Sequence, residues 1–394
     1  MTLLEKIGIV FKIISRENYR IVHSVRYSCC LVVLPILSFL FFAVILSKGV
    51  PADLPIAVLD EDHSNLSMKL VDMIDSTPTP ECRYFVYDMN EAIDLMHKGK
   101  IYAIVQIPLG FQKNILGNKP AHVETYNSGA NISANGLISK DIQTVVTSFS
   151  VGIQLQILQS QGLTAAQAMA QAMPVRFVKH VLFNPYINYG YYLAPCFMPL
   201  MLVMFTVILT IFAIGSELKY GTAPQWLEMA KGKCRLALAG KLIMITLMMT
   251  ILSVIMYFIL FVNIGVPMNG NIFVLFIATV MLILAYQAIA VFVIALTCNM
   301  RLALSVGGGY SVLAFTFSGL TFPIMAMDFP MQVMSCIFPF THFMKIFVDQ
   351  AVRGVSAIYS LDEITYLLLF QLPVIFVLGR LRKVCTDKRY WGKI

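Results

Sequence analysis

Charge is scarce in this chain. Only 13% of its residues are Asp, Glu, Lys or Arg, 58% are hydrophobic, and the mean hydropathy is +0.76. A soluble domain carries about a quarter charged residues, so the deficit argues against an ordinary soluble fold and for a polytopic membrane protein. Six apolar runs, 29–46, 191–215, 242–262, 272–298, 302–322 and 364–379, hold no Asp, Glu, Lys, Arg or His at all. Most meet the requirement of roughly 20 apolar residues for a bilayer core. The last is short and is expected to extend to Leu381, with Arg380 snorkelling to the interface. An intramembrane enzyme would need paired polar residues inside its spans, and their absence argues against one. Paired cysteines are missing too: of eight, only Cys82 lies in the one large polar region, so neither a disulfide framework nor a metal knuckle is expected. No Walker A pattern occurs, because Gly232-Lys233 and Gly240-Lys241 lack both the upstream glycine and the following Ser or Thr. The chain therefore does not bind ATP by that route. The six histidines are dispersed, and no Ser–His–Asp or Cys–His arrangement can be argued from them.

The basic residues that are present are placed asymmetrically. Lys6, Lys12, Arg16, Arg20 and Arg26 precede the first span, and Lys219, Lys231, Lys233, Arg235 and Lys241 follow the second. Arg301 joins the fourth and fifth, and Arg380, Arg382, Lys383, Lys388, Arg389 and Lys393 follow the sixth. With six spans and both termini inside, all of these fall on one face, which the positive-inside rule reads as cytoplasmic. The net charge of +8 is thus a topology signal and implies no nucleic-acid partner.

Residues 2–16 place Leu3, Leu4, Ile7, Phe11 and Ile14 on one helical face, the pattern of an amphipathic helix lying on the inner membrane surface. The first apolar run reads as a retained anchor, since its basic leader is long and no convincing small-x-small site precedes Lys48. Residues 49–190 form the sizeable water-soluble domain. Strands are expected at 56–59, 83–87, 101–107 and 123–126. Helices are expected from Ser64 or Asn65 to Asp75 and over 91–98, the latter capped by Asn90, with a helical turn running to Gly117. One or two long helices should follow over 132–172, with a return strand at 176–183. Alternating strands and helices favour a small α/β domain. The run Asp60-Glu61-Asp62-His63 invites a metal or acid–base reading, but four consecutive residues point in different directions. A solvated turn capping a helix is the favoured reading.

Pro195 and Pro199 are expected to kink the second span. In the polar interruption after it, Thr222 and Gln225 have capping-box spacing and Pro224 suits a first turn, giving a short helix over about 223–231 that Gly232 ends. Trp226, Leu227, Met229 and Ala230 give that helix an apolar face. It could seat in a groove of a soluble partner or rest on lipid headgroups. Residues 263–271 make a tight uncharged turn, and Gly307-Gly308-Gly309 permits close helix contact or unwinding. Beyond the fifth span an apolar segment broken by Pro323, Pro330 and Pro339 reads as a re-entrant pair of short helices. His342 within it is either a functional polar group near a pathway or a satisfied interfacial histidine, the second being the more common case.

In order and spacing, these pieces resemble the type-2 ATP-binding-cassette (ABC) exporter permeases, in the subgroup with a large extracytoplasmic domain after the first span. The resemblance rests on residues 55–62 with Ser64, on 217–222, on Gly319 through Pro323, and on 339–343 followed by Arg353-Gly354. It implies a polytopic α-helical membrane protein of six transmembrane helices plus a re-entrant segment, with an inserted α/β extracytoplasmic domain. The expected divisions are an interfacial helix (1–28), a first span (29–47), the outer domain (48–190), a second span (191–215), a cytoplasmic loop with a coupling helix (216–241), spans three to five (242–322), the re-entrant segment (323–346), an outer link (347–363), a sixth span (364–381) and a cytoplasmic tail (382–394). The resemblance assigns ATPase coupling and gating to Glu217 and Gly221, favours docking for the Thr222, Gln225, Trp226, Leu227 and Met229 helix, and makes Gly319, Pro323, Pro339 and His342 gate residues. It implies a non-enzymatic inner-membrane export subunit with no cofactor of its own, ATP and magnesium residing on a separate ATPase. It further implies a second permease copy or homologue and, in a two-membrane cell, a periplasmic adaptor and an outer-membrane channel. The cargo expected is hydrophobic or amphipathic, drug-like or lipid-linked, as in multidrug efflux. A membrane-anchored extracytoplasmic binding or scaffold protein is the alternative.

Overall fold

A computed structural model describes residues 2–117, 119–175, 178–185 and 187–392. The chain divides into two compact units, one of Met1–Gly49 with Val181–Ile394 and one of Val50–His180. The first unit opens with α1 (Leu3–His23), begun by a Thr2/Glu5 capping box, and α2 (Val25–Ile45), which includes a π-helical turn at Cys29–Val33. Helix α1 runs further than the expected 2–16. The side chains it buries are Ile9, Ile13, Glu17 and Ile21, one every four residues, while Leu4, Ile7 and Phe11 are exposed. The face read as amphipathic is thus turned away from the protein, and a second stripe does the packing.

The Val50–His180 unit is built on β1 (Leu54–Asp60), α3 (Asn65–Asp75), β2 (Pro80–Phe85), α4 (Met89–His97), β3 (Ala103–Ile107), α5 (Phe111–Leu116), β4 (Glu124–Asn127), α6 (Ile132–Ser160) and α7 (Ala165–Ala172). The sheet order is β2-β1-β3-β4, parallel except for the β3–β4 pair. Side-chain alternation sends Ile56 and Val58 of β1 toward α3, α5 and α6, and Ala57 and Leu59 toward α4. Two expectations are corrected. Helix α4 starts one residue past Asp88, and Asn90 lies inside it rather than capping it. Residues 178–183 hold no strand, Arg176 and Phe177 lying outside the described residues. Ser64 is the N-cap of α3, and Ser67 completes a capping box with it. The acidic run is a turn: Asp60 accepts from the Asp62 and His63 amides and the Ser67 hydroxyl, and Asp62 accepts from the Gly110 and Gln112 amides at 2.7 and 2.9 Å. Among the described residues no group of three or more His, Cys, Asp or Glu side chains could hold a metal.

The first unit continues with α8 (Tyr189–Lys219), α9 (Ala223–Met229), α10 (Cys234–Asn263), α11 (Ile272–Thr297), α12 (Met300–Thr316), α13 (Phe329–Ser335), α14 (Pro339–Arg353), α15 (Leu361–Leu369) and α16 (Leu372–Thr386). Among the described residues five helices, α2, α8, α10, α11 and the Ala357–Thr386 run containing α15 and α16, are long and apolar enough to cross a membrane; the bent pair α13–α14, with an angle of 85°, raises the number to six. Helix α8 is central, packing against α2, α10, α11 and α12, and it is unbroken through Pro195 and Pro199. The expected fifth span is shorter than its apolar run. Helix α12 has 17 residues, about 25 Å, and stops at Thr316, where Phe317 turns its carbonyl to the Thr341 hydroxyl and Gly319 takes φ +79°. Gly307 lets α12 approach α8: a Cβ there would sit 2.7 Å from Val207, whereas one at Gly308 or Gly309 would meet nothing. The expected sixth span begins earlier, at 357, and is interrupted at Phe370-Gln371.

A buried ion cluster as candidate coupling site

The end of α8 is shaped by a Schellman motif. Gly221, at φ +68°, donates to the Leu218 carbonyl, and Thr222 donates to that of Glu217. A second such motif closes α9 through Lys231, at φ +51°, and Gly232. The two tight turns fold α9 back between α8 and α10, against α1 and α16 as well.

Glu217, in the last turn of α8, is fully buried. Its carboxylate accepts both guanidinium nitrogens of Arg16 (2.9 and 3.0 Å), one of Arg20 (2.5 Å), the Lys241 ammonium (2.9 Å) and the Thr222 hydroxyl. Glu17 accepts from Lys241 at 2.7 Å, Arg20 at 3.3 Å and the Tyr27 hydroxyl at 3.0 Å. Arg20 also donates to the Ser216 hydroxyl at 2.7 Å. Two carboxylates and three cations are thus bound together by side chains from α1, α2, α8, α10 and the head of α9. Lys241 also lies 5.1 Å from the Trp226 ring centroid, and the Trp226 indole N–H donates to the Ala237 carbonyl at 3.2 Å. Gly240 makes the arrangement sterically possible, since a Cβ there would stand 2.8 Å from that of Ile13.

The expected capping box does not form. Thr222 occupies the N-cap position of α9 but gives its hydroxyl to Glu217, and Gln225 is exposed. Nor is the apolar face of α9 outward, for Trp226 is 1% and Leu227 6% exposed. What α9 presents to solvent is Gln225 and Glu228, with Lys231 and Lys233 just beyond and Met229 half-buried.

A second polar group lies at the other end of the unit. Glu363 accepts from Lys345 at 2.9 Å and meets His342 Nδ1 at 2.5 Å, while His342 Nε2 lies 3.2 Å from the Cys336 carbonyl. Pro339 opens α14 and is buried, Pro323 precedes a 3-10 turn (Ile324–Ala326), and a Cβ on Gly319 would stand 3.0 Å from Ile324. His342 therefore has both ring nitrogens engaged, and no sequence motif marks its partner Glu363.

The family model described as ABC-2 family transporter protein matches residues 26–379. The chain belongs to that family. No curated protein matched it. As an ABC-2 family member it is a multi-pass membrane permease component, transporting rather than catalysing, and the family implies an ATPase partner. Of the ABC-2 residues expected to matter, the structure brings Glu217, Thr222 and Trp226 together; Gln225 and Met229 do not reach the cluster, and Gly319, Pro323, Pro339 and His342 lie elsewhere. Sequence reasoning missed Arg16, Glu17, Arg20, Tyr27 and Lys241. One signal was available, since Glu17 interrupts the four-residue apolar spacing of Ile9, Ile13 and Ile21.

Proposed function

We propose that the chain is the membrane subunit of an ATP-driven exporter, with both termini and α9 in the cytoplasm of the cell bearing it. A separate ATPase docks on α9 and passes its stroke through the Glu217 cluster into α1, α8 and α10. The observation that carries this reading is the fastening of α9. A short surface helix resting passively on lipid has no need of five clustered charges behind it, three of them buried, because desolvating those costs more than an apolar contact of the same volume. The basic residues near α9 and both termini support the orientation. Two copies, or one with a homologue, would line the path. The Val50–His180 unit would face outward, where an adaptor and an outer-membrane channel could engage it. The cargo is hydrophobic or amphipathic.

Docking uses the exposed polar face of α9, so the test replaces Gln225 by Ala and Glu228 by Lys and leaves Trp226 and Leu227 in place. The expected result is at least a tenfold weaker association with the partner ATPase, with unchanged thermal stability. Unchanged association would overturn the docking. Purification without any ATPase would favour a membrane-anchored binding or scaffold protein.

A further inference from the structure

The 85° bend between α13 and α14 is made by Cys336, Ile337 and Phe338. Each of their carbonyls is engaged. The Tyr310 hydroxyl donates to that of Ile337 at 2.6 Å, the Thr341 amide donates to that of Phe338, and His342 Nε2 lies 3.2 Å from that of Cys336. His342, 4% exposed, has its other ring nitrogen against the Glu363 carboxylate of α15. A ring turned over would bring carbons against both acceptors, so the two contacts fix its orientation. A carbonyl and a carboxylate both accept, and a neutral imidazole has one N–H to give. Both contacts are therefore made only when a second proton sits on the ring or between it and Glu363. Without that proton one contact is given up, and the one to the uncharged Cys336 carbonyl is the weaker.

The surroundings suit a charged ring. It lies 5.1 Å from the Tyr366 ring and 5.9 Å from that of Phe370. Lys345 donates to the other Glu363 oxygen at 2.9 Å, and the Cys336 thiol is exposed. Lys345 and Glu363 also border a cavity with Tyr359 and the Asp349–Arg353 pair, while Asp362 on α15 is exposed. The helices packed behind α14 bring no charge here. Helix α11 has none in its sequence, Arg301 stands at the far end of α12, and the charges of α8 and α10 lie at their Glu217 ends. What these helices bring is uncharged: Tyr286, Tyr310 and, on α8, Tyr192 and Cys196.

We propose that His342 is a proton-operated latch on the α13–α14 bend. Charged, it ties the Cys336 carbonyl to Glu363; neutral, it lets that carbonyl go. The latched bend binds one proton more than the released one, so acid holds it and rising pH loosens it. Cys336 and His342 also wall a cavity of about 660 Å³ against α15 and α16, and release of the bend reshapes it. The latch goes beyond the export reading and stands without it. That protons outside the cell operate it rests on the orientation proposed there.

The test is amide hydrogen exchange of the full chain in phospholipid nanodiscs, read by mass spectrometry as protection factors corrected for intrinsic exchange. The amides of Cys336, Ile337, Phe338 and Thr341 are hydrogen-bonded across the bend. From about pH 5 to about pH 8, the range in which histidine changes charge, their protection should fall about tenfold, the size of one charge-assisted hydrogen bond. Protection in α11 should not change. His342→Gln has no titratable ring and should give equal protection at both ends of the range. Glu363→Gln makes the sharper case. Its amide N–H can donate to Nδ1 of a neutral imidazole, whose Nε2–H then keeps the Cys336 carbonyl, so the bend should stay protected at the alkaline end. A merely structural ion pair would instead loosen on losing its carboxylate. Parent protection that is flat with pH, a pH response that survives His342→Gln, or a bend that loosens at the alkaline end in Glu363→Gln would each overturn the latch. The parent's own response needs no variant to fold and no ATPase. Flat protection therefore sinks the latch alone, whereas failed ATPase capture at α9 sinks the export reading and leaves the latch standing.

Discussion

Replacing Glu217 by Gln keeps the side chain's shape and removes its charge. The carboxylate is fully buried and serves Arg16, Arg20, Lys241 and Thr222 together. Once it is neutral, three cations face Glu17 alone. Breaking a buried pair by neutralising one member costs about 3–5 kcal/mol. Arg16 and Arg20 are 24% and 25% exposed, so water relieves part of their loss, and the lower end, about 3 kcal/mol, is expected. At about 2 °C per kcal/mol, the apparent Tm should fall by about 6 °C. Tryptophan fluorescence of the purified protein is a suitable assay, since Trp226, one of two tryptophans, lies against Lys241. Adding Lys241→Met restores the balance of charge, and the double variant should recover at least about 1 kcal/mol relative to additivity. A single variant within 1 °C of the parent, on the order of the ±0.5 kcal/mol of an inert surface change, would refute the reasoning. So would a double variant whose losses simply add.

Gly240→Leu should force α1 off α10, because the new side chain must pass through Ile13; a loss of about 2 kcal/mol or more and early proteolysis within Leu3–His23 are expected. Trp226→Ala should cost about 3–5 kcal/mol and Glu228→Ala less than about 0.5, as read by apparent Tm, because the first is buried and the second exposed. Acid should weaken the Val50–His180 unit through Asp62. Burial pushes its carboxyl up, but hydrogen bonds from Ser64 and from the backbone of Gln112, Gly110 and Phe111 outweigh that and hold it below its ordinary value. A depressed carboxyl contributes stability that is present above the unfolded pKa of about 4 and lost as pH falls through the folded one. Asp62→Asn should therefore lower stability at pH 7 and flatten the decline below about pH 4 in a pH-resolved melting series.

The long charge-free runs make α8, α10 and α11 legible from residue order alone, because nothing but a bilayer or a deep core accepts them. The same criterion overruns α12, where residues 317–322 remain apolar while Gly319 and the Phe317 carbonyl turn the backbone away from helix. In α9 the composition is legible and the direction is not: an apolar stripe on a short helix does not say whether a partner or the protein's own helices will cover it. Thr222 shows the same limit, since its hydroxyl chooses a carboxylate over the cap position. The cluster itself is largely invisible in the sequence. Glu17 and Lys241 are 224 residues apart, and no local spacing brings them together.

The turn between α10 and α11 is sewn to the end of α14. Asn269 and Gly270 donate their amides to the Ala351 and Gln350 carbonyls, the Asn269 side chain reaches the Val352 carbonyl, and Asn271 donates to the Gln350 side chain. A Cβ on Gly270 would stand 2.7 Å from the Gln350 carbonyl oxygen, and one on Gly354 2.9 Å from Asn269. These two hairpins must therefore be inherited as a matched set. A larger residue at 270 would meet the backbone carbonyl of 350, which no side-chain change there removes, and grafting either hairpin from a divergent homologue should fail unless its counterpart travels with it.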